Sequence, residues 1–409
     1  MIRGLALLLL LLLPSSVAAA SAAADPENQL PATIDLQVPY PPTPMRANGK
    51  AYLVYELHVT NLGRAEVLLT QVDVVTEDLR RGLLVRYGTG ELNTVIDRPG
   101  IPTPPPSGAP AIPPTMPDMR HIAGGMRAVV RIWIAFDDLR EVPNGFRHRV
   151  SIETTGPNGA KTSGVIEGIR TEVRRLGAIT LDPPVRGGTW LAANGPSNSS
   201  PHRRALLAVH GRARIAQRFA IDWIKFGDDG MPFHGDPTQN ASWYGYGEEV
   251  VAAADGIVTE AQDGIPDNTP LSAERAVPIT LDTVAGNHVV IEHERGRFAL
   301  YAHLQPGTLK VKLGERVHKG QVIGRLGNSG NSDAPHIHFH VCDANSALGC
   351  EGVPYGLESF QVLGEVEMPA DLRTTAAWTA RAAQAPGTRA KELPLENELV
   401  RFTPPPARP

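Results

Sequence analysis

Residues 336–341 read His-Ile-His-Phe-His-Val, and this alternation constrains the fold more than any other stretch of the chain. In a β-strand, residues i, i+2 and i+4 point the same way. His336, His338 and His340 therefore share one face, and Ile337, Phe339 and Val341 point into a core. Three of the chain's 13 histidines on one face of one strand are either a metal site with its accessory groups or a coincidence on a solvated surface.

The surroundings favour strands throughout. With 37 Pro and 40 Gly, long amphipathic helices are hard to find. Between about residues 30 and 175 the sequence alternates. Leu53, Tyr55, Leu57 and Val59 form one face of a strand, with Val54, Glu56, His58 and Thr60 opposite. Val130, Ile132, Ile134 and Phe136 form one face of another. Short alternating strands of this kind predict an immunoglobulin-like antiparallel sandwich. A run with nine prolines around residues 98–117 breaks the pattern as a surface loop. His58, His121 and His148 read as surface histidines with no catalytic partner.

The composition shifts after about residue 180. Ten of the 13 histidines lie between His202 and His340, so the chemistry belongs there. "GEEVVAAADGIVTEA" and "GERVHKGQVIGRLG" form a small internal repeat, predicting two similar β-units packed together. "NHVVIEHERGRFALYAHL" between them is a hairpin turning at residues 294–297, and "HRRALLAVHGRARIAQRFAIDW" reads as two strands around a turn near His210-Gly211. The fold class is thus all-β and mainly antiparallel, in four parts. These are a signal peptide at 1–24, an immunoglobulin-like sandwich at 25–178, a second β domain at 179–365, and a tail at 366–409 that is mobile or docked along a sheet edge.

The first part rests on Arg3, the apolar run Leu5 to Leu13, which is too short for a membrane span, and the small residues that follow. An exported chain, periplasmic or secreted, is expected, with no transmembrane segment. In an oxidising compartment, Cys342 and Cys350 read as a small disulfide loop. A formal charge of −4 gives no electrostatic case for nucleic acid.

A hydrolytic zinc takes three N or O ligands and leaves a fourth position open. The chain has no HExxH helix but offers the histidine strand, His303 in "YAHL", and Asp222 within an otherwise apolar run, where a carboxylate needs a partner or a metal. The string "FALYAHLQPGTLKVKLGERVHKGQVIGRLGNSGNSDAPHIHFHV" resembles the core of the lysostaphin/LytM-type zinc metallo-endopeptidases. "VVAAADGIV" extends the resemblance weakly toward residue 185, and nothing of it covers residues 25 to 175.

The resemblance implies a Zn2+ centre with Asp222 and His338 as ligands, His303 and His336 as catalytic histidines, and peptidoglycan or another peptide as substrate. His340 falls where that family often has Glu and reads as a supporting group. Arg218 stands where the family has its first ligand histidine, four positions before Asp222. Hairpin geometry chooses the replacement. A turn near residues 210–213 sets strand partners whose numbers sum to roughly 424, placing His202 opposite Asp222, with Cβ atoms ~5 Å apart. His210 falls at the turn. The metal set is therefore His202, Asp222 and His338.

Two competing readings remain. One is a non-catalytic relative that binds or activates another wall hydrolase, with a protein partner engaged through the N-terminal domain. The other is a lipoyl- or biotinyl-type carrier, suggested by the Gly-Val repeats.

Overall fold

The strand Lys50–Asn61 is buried on both faces almost along its length, and that burial organises the molecule. In this computed structural model the described residues are 33–403, excluding 78–81, 102–117, 157, 169, 176, 295, 370, 375–377 and 379. The signal-peptide segment and most of the proline-rich stretch lie outside them. Lys50–Asn61 pairs with Ile34–Gln37, Met45–Ala47 and Arg127–Phe136 in one sheet, and Ile96–Asp97 adds to Arg127–Phe136. A second sheet runs Lys161–Glu167, Gly145–Thr155, Val67–Thr76, Leu83–Tyr87. Leu53, Tyr55, Leu57 and Val59 meet Val72, Val74, Phe146 and Val150 between the sheets.

The opposite face does not meet water. Tyr52 and Val54 belong to a second core with Ile221, Trp223, Ile337 and Phe339. The sandwich therefore lies with its first sheet against the C-terminal half, and Ile34 onward clusters as one compact unit. This corrects the surface assignment of two histidines. His58 is 4% exposed on the junction face, and His148 is 2% exposed inside the sandwich, 3.0 Å from the Tyr55 hydroxyl. His121 does stay at the surface.

Burial holds His148 down to about 3 and His58 to about 4. Such a group is neutral when folded and takes a proton on unfolding, so its stabilisation is complete above pH 6.5 and is lost as pH falls toward the folded value. His148 alone is expected to cost about 2 kcal/mol between pH 6.5 and 5. Urea unfolding at pH 7 and pH 5 reads this directly: His148→Gln should lose less stability on acidification than the parent. An equal loss in both refutes it.

The C-terminal half is built on one long antiparallel sheet, with three two-stranded sheets beside it. Its order is Arg316–Val317, Gly256–Gln262, Asn287–His293, Arg297–Leu304, Ile337–Cys342, Ile221–Phe226, Gly188–Ala193, Glu398–Phe402, Phe360–Val366, Ala380–Arg389. The histidine strand is central, as its alternation requires. The internal repeat forms paired units, Glu249–Val251 on Val322–Arg325 and Gly256–Gln262 on Arg316–Val317. The hairpin turns where expected, with His293 facing Arg297.

After residue 366, Ala380–Arg389 docks along the edge of the long sheet, but the last strand goes further. Glu398–Phe402 inserts between Gly188–Ala193 and Phe360–Val366, and Val400 and Phe402 enter the core. Its "ELVRF" alternates Leu399/Arg401 against Val400/Phe402, a strand pattern that the surrounding prolines hid. Cys342 and Cys350 are disulfide-linked. Among the described residues no helix is long and apolar enough to cross a membrane.

Candidate metal and catalytic site

Three neighbouring strands build the floor of the site. Asp222 on Ile221–Phe226 lies in register with His338 on Ile337–Cys342, and His338 with Ala302 on Arg297–Leu304. His338 Nδ1 is 2.8 Å from Asp222 Oδ1 and its Nε2 is 2.8 Å from His340 Nδ1. His336, just before the strand, brings Nε2 within 3.4 Å of the same carboxylate oxygen. His303 follows at the end of its strand, its ring centroid 4.8 Å from that of His336 and 5.9 Å from that of His338.

His303 has a φ of +65°, a left-handed backbone that costs a non-glycine residue ~1–3 kcal/mol and persists only where neighbours enforce it. The enforcement is visible. Its N–H donates to Ala285 O, its own carbonyl accepts from Gly327, and its Nδ1 donates to Ser329 O at 2.8 Å. The 328–332 loop in turn seats on residues 283–287. A Cβ on Gly286, itself at φ +61°, would meet Ser329 O at 2.4 Å, and one on Gly330 would meet Gly286 N at 2.3 Å. Asn268, Asn287, Asn328 and Ser332 are buried around this loop: Asn268 donates to Gly330 O and Ser332 O within it, while Asn287, Asn328 and Ser332 donate to Leu304 O, Asn268 O and Ala334 O beside it. "GNSGNS" is thus the scaffold of a histidine.

His202 joins the cluster by another route than the predicted hairpin. The residue opposite Asp222 is Ala193, not His202. The short hairpin does turn at His210-Gly211, but it pairs only Leu207–Val209 with Arg212–Arg214, in a different register. His202 sits on a single helical turn, Pro201–Arg204, in the loop that leaves Gly188–Ala193. The hairpin argument failed because Pro201 and the Ser/Asn-rich segment before it end the strand and fold the chain back. His202 Nε2 nevertheless lies 3.3 Å from Asp222 Oδ2, and its ring centroid is 4.7 Å from that of His338. His210 is exposed at its turn. Arg218 points away into the sandwich junction, bonded to Glu56 and Glu351.

The tautomers follow from the partners. A carbonyl can only accept, so the Nδ1 atoms of His202, His303 and His336 carry their hydrogens toward Asn194 O, Ser329 O and Ala334 O. In each neutral ring this leaves Nε2 bare and free to bind a cation or take a proton. Asn194 also donates Nδ2 to Asp222 Oδ2 at 2.8 Å. Sequence reasoning missed Asn194, although the "NGPS" turn after an apolar strand was available as a signal.

Burial pushes the Asp222 carboxyl up, but the facing His202 and His336, with the hydrogen bond from His338, outweigh it and hold it well below the usual range. Burial lowers His202 to about 4 and depresses His303 well below its ordinary value. His336 is raised, because the facing Asp222 carboxylate overcomes burial.

Donor atoms of His202, Asp222 and His338 all lie within 4.8 Å of one another. His340, Cys342 and Cys350 also converge, but both sulfurs are consumed by the disulfide. The first trio opens onto a cavity of about 450 Å³, walled by Leu207, Val284, Ala285, Leu300, Ala347, Leu348, Met368 and Leu372. Val284 and Ala285 close the long loop that runs from residue 263 to 287, and residues 228–247 line none of this cavity. Residues 228–247 instead pack Met231, Phe233 and Trp243 into a satellite core.

Two imidazoles and a carboxylate at one point, with two more imidazoles beside them, are a donor set that could hold a single metal ion. Residues 243–349 match the model of Peptidase family M23, and the chain carries a domain of that family. The match contains His303, His336 and His338 but neither His202 nor Asp222. The peptidoglycan DD-endopeptidase ShyA of Vibrio cholerae is 38% identical over 80 residues, 19% of this chain and 18% of that protein. The cell division protein DipM of Caulobacter vibrioides is 25% identical over 216 residues, 49% of this chain and 33% of that protein. The catalytic domain of lysostaphin from Staphylococcus simulans aligns at 22% identity over 41% of this chain and 88% of that domain, with a TM-score of 0.21. The matched stretches span a third or less of the curated relatives.

Proposed function

We propose that this protein is an exported zinc-dependent endopeptidase that hydrolyses cross-link peptides of peptidoglycan. The observation that carries the reading is the convergence of His202, Asp222 and His338 on one point, with the bare Nε2 atoms of His303 and His336 beside it. The donor chemistry fits zinc: three ligands of nitrogen and oxygen type, with the side of the cavity left open. A buried carboxylate facing three imidazoles is also the arrangement a divalent cation neutralises. When bound there, such an ion supplies Lewis-acid polarisation of a carbonyl and lowers the pKa of water.

The protein's own residues supply the rest. His338 engages His340 through Nε2, which fixes the ring for binding through Nδ1. His202 is fixed through the Asn194 carbonyl for binding through Nε2. His303 and His336 present Nε2 to the cavity, where each can accept a proton from water or hydrogen-bond the carbonyl oxygen of a bound peptide. The apolar walls suit a peptide with small side chains and keep bulk water from the reacting bond.

The binding-protein reading rested on Arg218 standing where a ligand was expected. His202 beside Asp222 removes that motive and supports the enzyme. The carrier reading has no use for the converged histidines and Asp222, and Lys319, exposed at its turn, is followed directly by Gly320-Gln321 of the repeat.

The test is zinc content together with digestion of purified cross-linked peptidoglycan. The parent protein should hold about one zinc and release un-cross-linked muropeptides; His338→Ala should retain no zinc and release none. A zinc-loaded parent that leaves every cross-link intact would transfer the case to the binding-protein reading.

A further inference from the structure

We infer that Glu56 of the N-terminal sandwich is a positioning residue for the metal centre: through Arg203 and Arg218 it sets the places of His202 and Asp222. This rests on the metal-site reading above.

The loop carrying His202 is poorly equipped to hold itself. Its helix is one turn, Pro201–Arg204, and a turn that short has no stability of its own. Ser200 Oγ donates to Asn194 O at 2.7 Å within the loop, and Ser197 and Ser199 both donate to Glu396 Oε2 of the C-terminal segment. What fixes it against the sandwich is Arg203, the residue next to the ligand and fully buried. Its guanidinium donates to Glu56 Oε1 at 3.2 Å, Tyr55 O at 3.0 Å and Ile132 O at 2.9 Å, all on the sandwich, and back to Asn198 Oδ1 in its own loop. Arg131, also from the sandwich, donates to Asn198 O at 3.0 Å.

Glu56 has a second grip. Arg218 lies four residues before Asp222 and donates to Glu56 Oε2 at 2.8 and 3.0 Å, and to Glu351 Oε2 at 2.9 Å. One carboxylate from the N-terminal half thus ties the segment of one ligand to the segment of another. All four charged residues are 5% exposed or less, and two guanidiniums balance two carboxylates. The pairing is therefore rigid, because neither partner can turn to water. Arg218 takes the place of a ligand in the chain and becomes a strut for the ligand that replaces it.

A purely structural ion pair would affect stability alone. A positioning residue also affects metal affinity, since partners that orient ligands typically contribute ~10–100-fold. The experiment measures Zn2+ dissociation constants of the full chain by chelator competition, with urea midpoints in parallel. Glu56→Gln should weaken zinc binding by ~10–100-fold, and Glu56→Asp, which keeps the charge, should recover part of the loss. Asn198→Ala, which cuts the Arg203 link inside a half-exposed loop, should weaken binding in the same direction; it carries the test where Glu56→Gln does not fold. Met45→Ala hollows the core shared by the two halves without touching this network, and should lower the midpoint at unchanged zinc affinity.

Parent-like affinity in Glu56→Gln or, failing that, in Asn198→Ala, with affinity lost in His202→Ala, overturns the inference and leaves the metal site standing. An equal affinity loss in Met45→Ala overturns it too, as general loosening. Parent-like affinity in His202→Ala refutes the metal assignment itself.

Discussion

Alanine at His336 is expected to leave zinc bound and to lower hydrolysis by ~10²–10⁴-fold, the range for removing a positioned proton-transfer group. Alanine at His303 should do the same. Neither ring belongs to the trio whose donors converge, yet both are locked with Nε2 bare, His303 by Ser329 O and His336 by Ala334 O. The loss should fall on kcat more than KM, because the bonds these rings make strengthen as charge develops on the scissile carbonyl. Because the two act on one reacting group, the double variant should lose far less than the product of the single losses. Steady-state kinetics with zinc content measured on the same samples checks this. His336 is the sharper case, since its Nε2 stands 3.4 Å from Asp222. If His336→Ala purifies without zinc, His336 is a ligand, and the trio must be redrawn.

The legible parts of the sequence were those governed by period. Alternation in residues 336–341 placed a central strand and its histidine face, and a hairpin followed from residues 287–304. Both are local patterns, and both were paired as expected. What the sequence could not show depends on contacts between distant segments. His58 read as a surface histidine because alternation reports that a face exists, not what covers it; the cover is the C-terminal half. Glu398–Phe402 is five residues amid prolines, and only its partners on either side make it a strand. His202 reached its place through an irregular loop, where register arithmetic has no hold. The motif string identified His303, His336 and His338, and it stopped short of both residues that complete the site.

Arg218 is where motif and structure part, and reverting it to the histidine of the motif is expected to harm the protein. Arg218→His should lose about 3–5 kcal/mol of stability, as when one partner is removed from a buried ion pair. Arg218 makes three bonds to the Glu56 and Glu351 carboxylates within 3.0 Å and a fourth to Gly352 O at the same distance. Desolvation opposes its charge, but Glu56 and Glu351 outweigh it and raise Arg218 above its ordinary value. An imidazole is shorter, offers two donors at most and titrates far lower, so Glu56 would be left buried with Arg203, and Glu351 with Arg214 at 3.9 Å, as remaining counter-charges. Nor would the new ring reach the metal, because position 218 directs its side chain into the junction while His202 occupies the place beside Asp222. Urea unfolding at pH 7, with zinc titration of the same variant, reads both parts. A variant as stable as the parent that also binds zinc more tightly would mean that position 218 can still turn toward Asp222, and that Arg218 is a substitution tolerated at a ligand position rather than a strut.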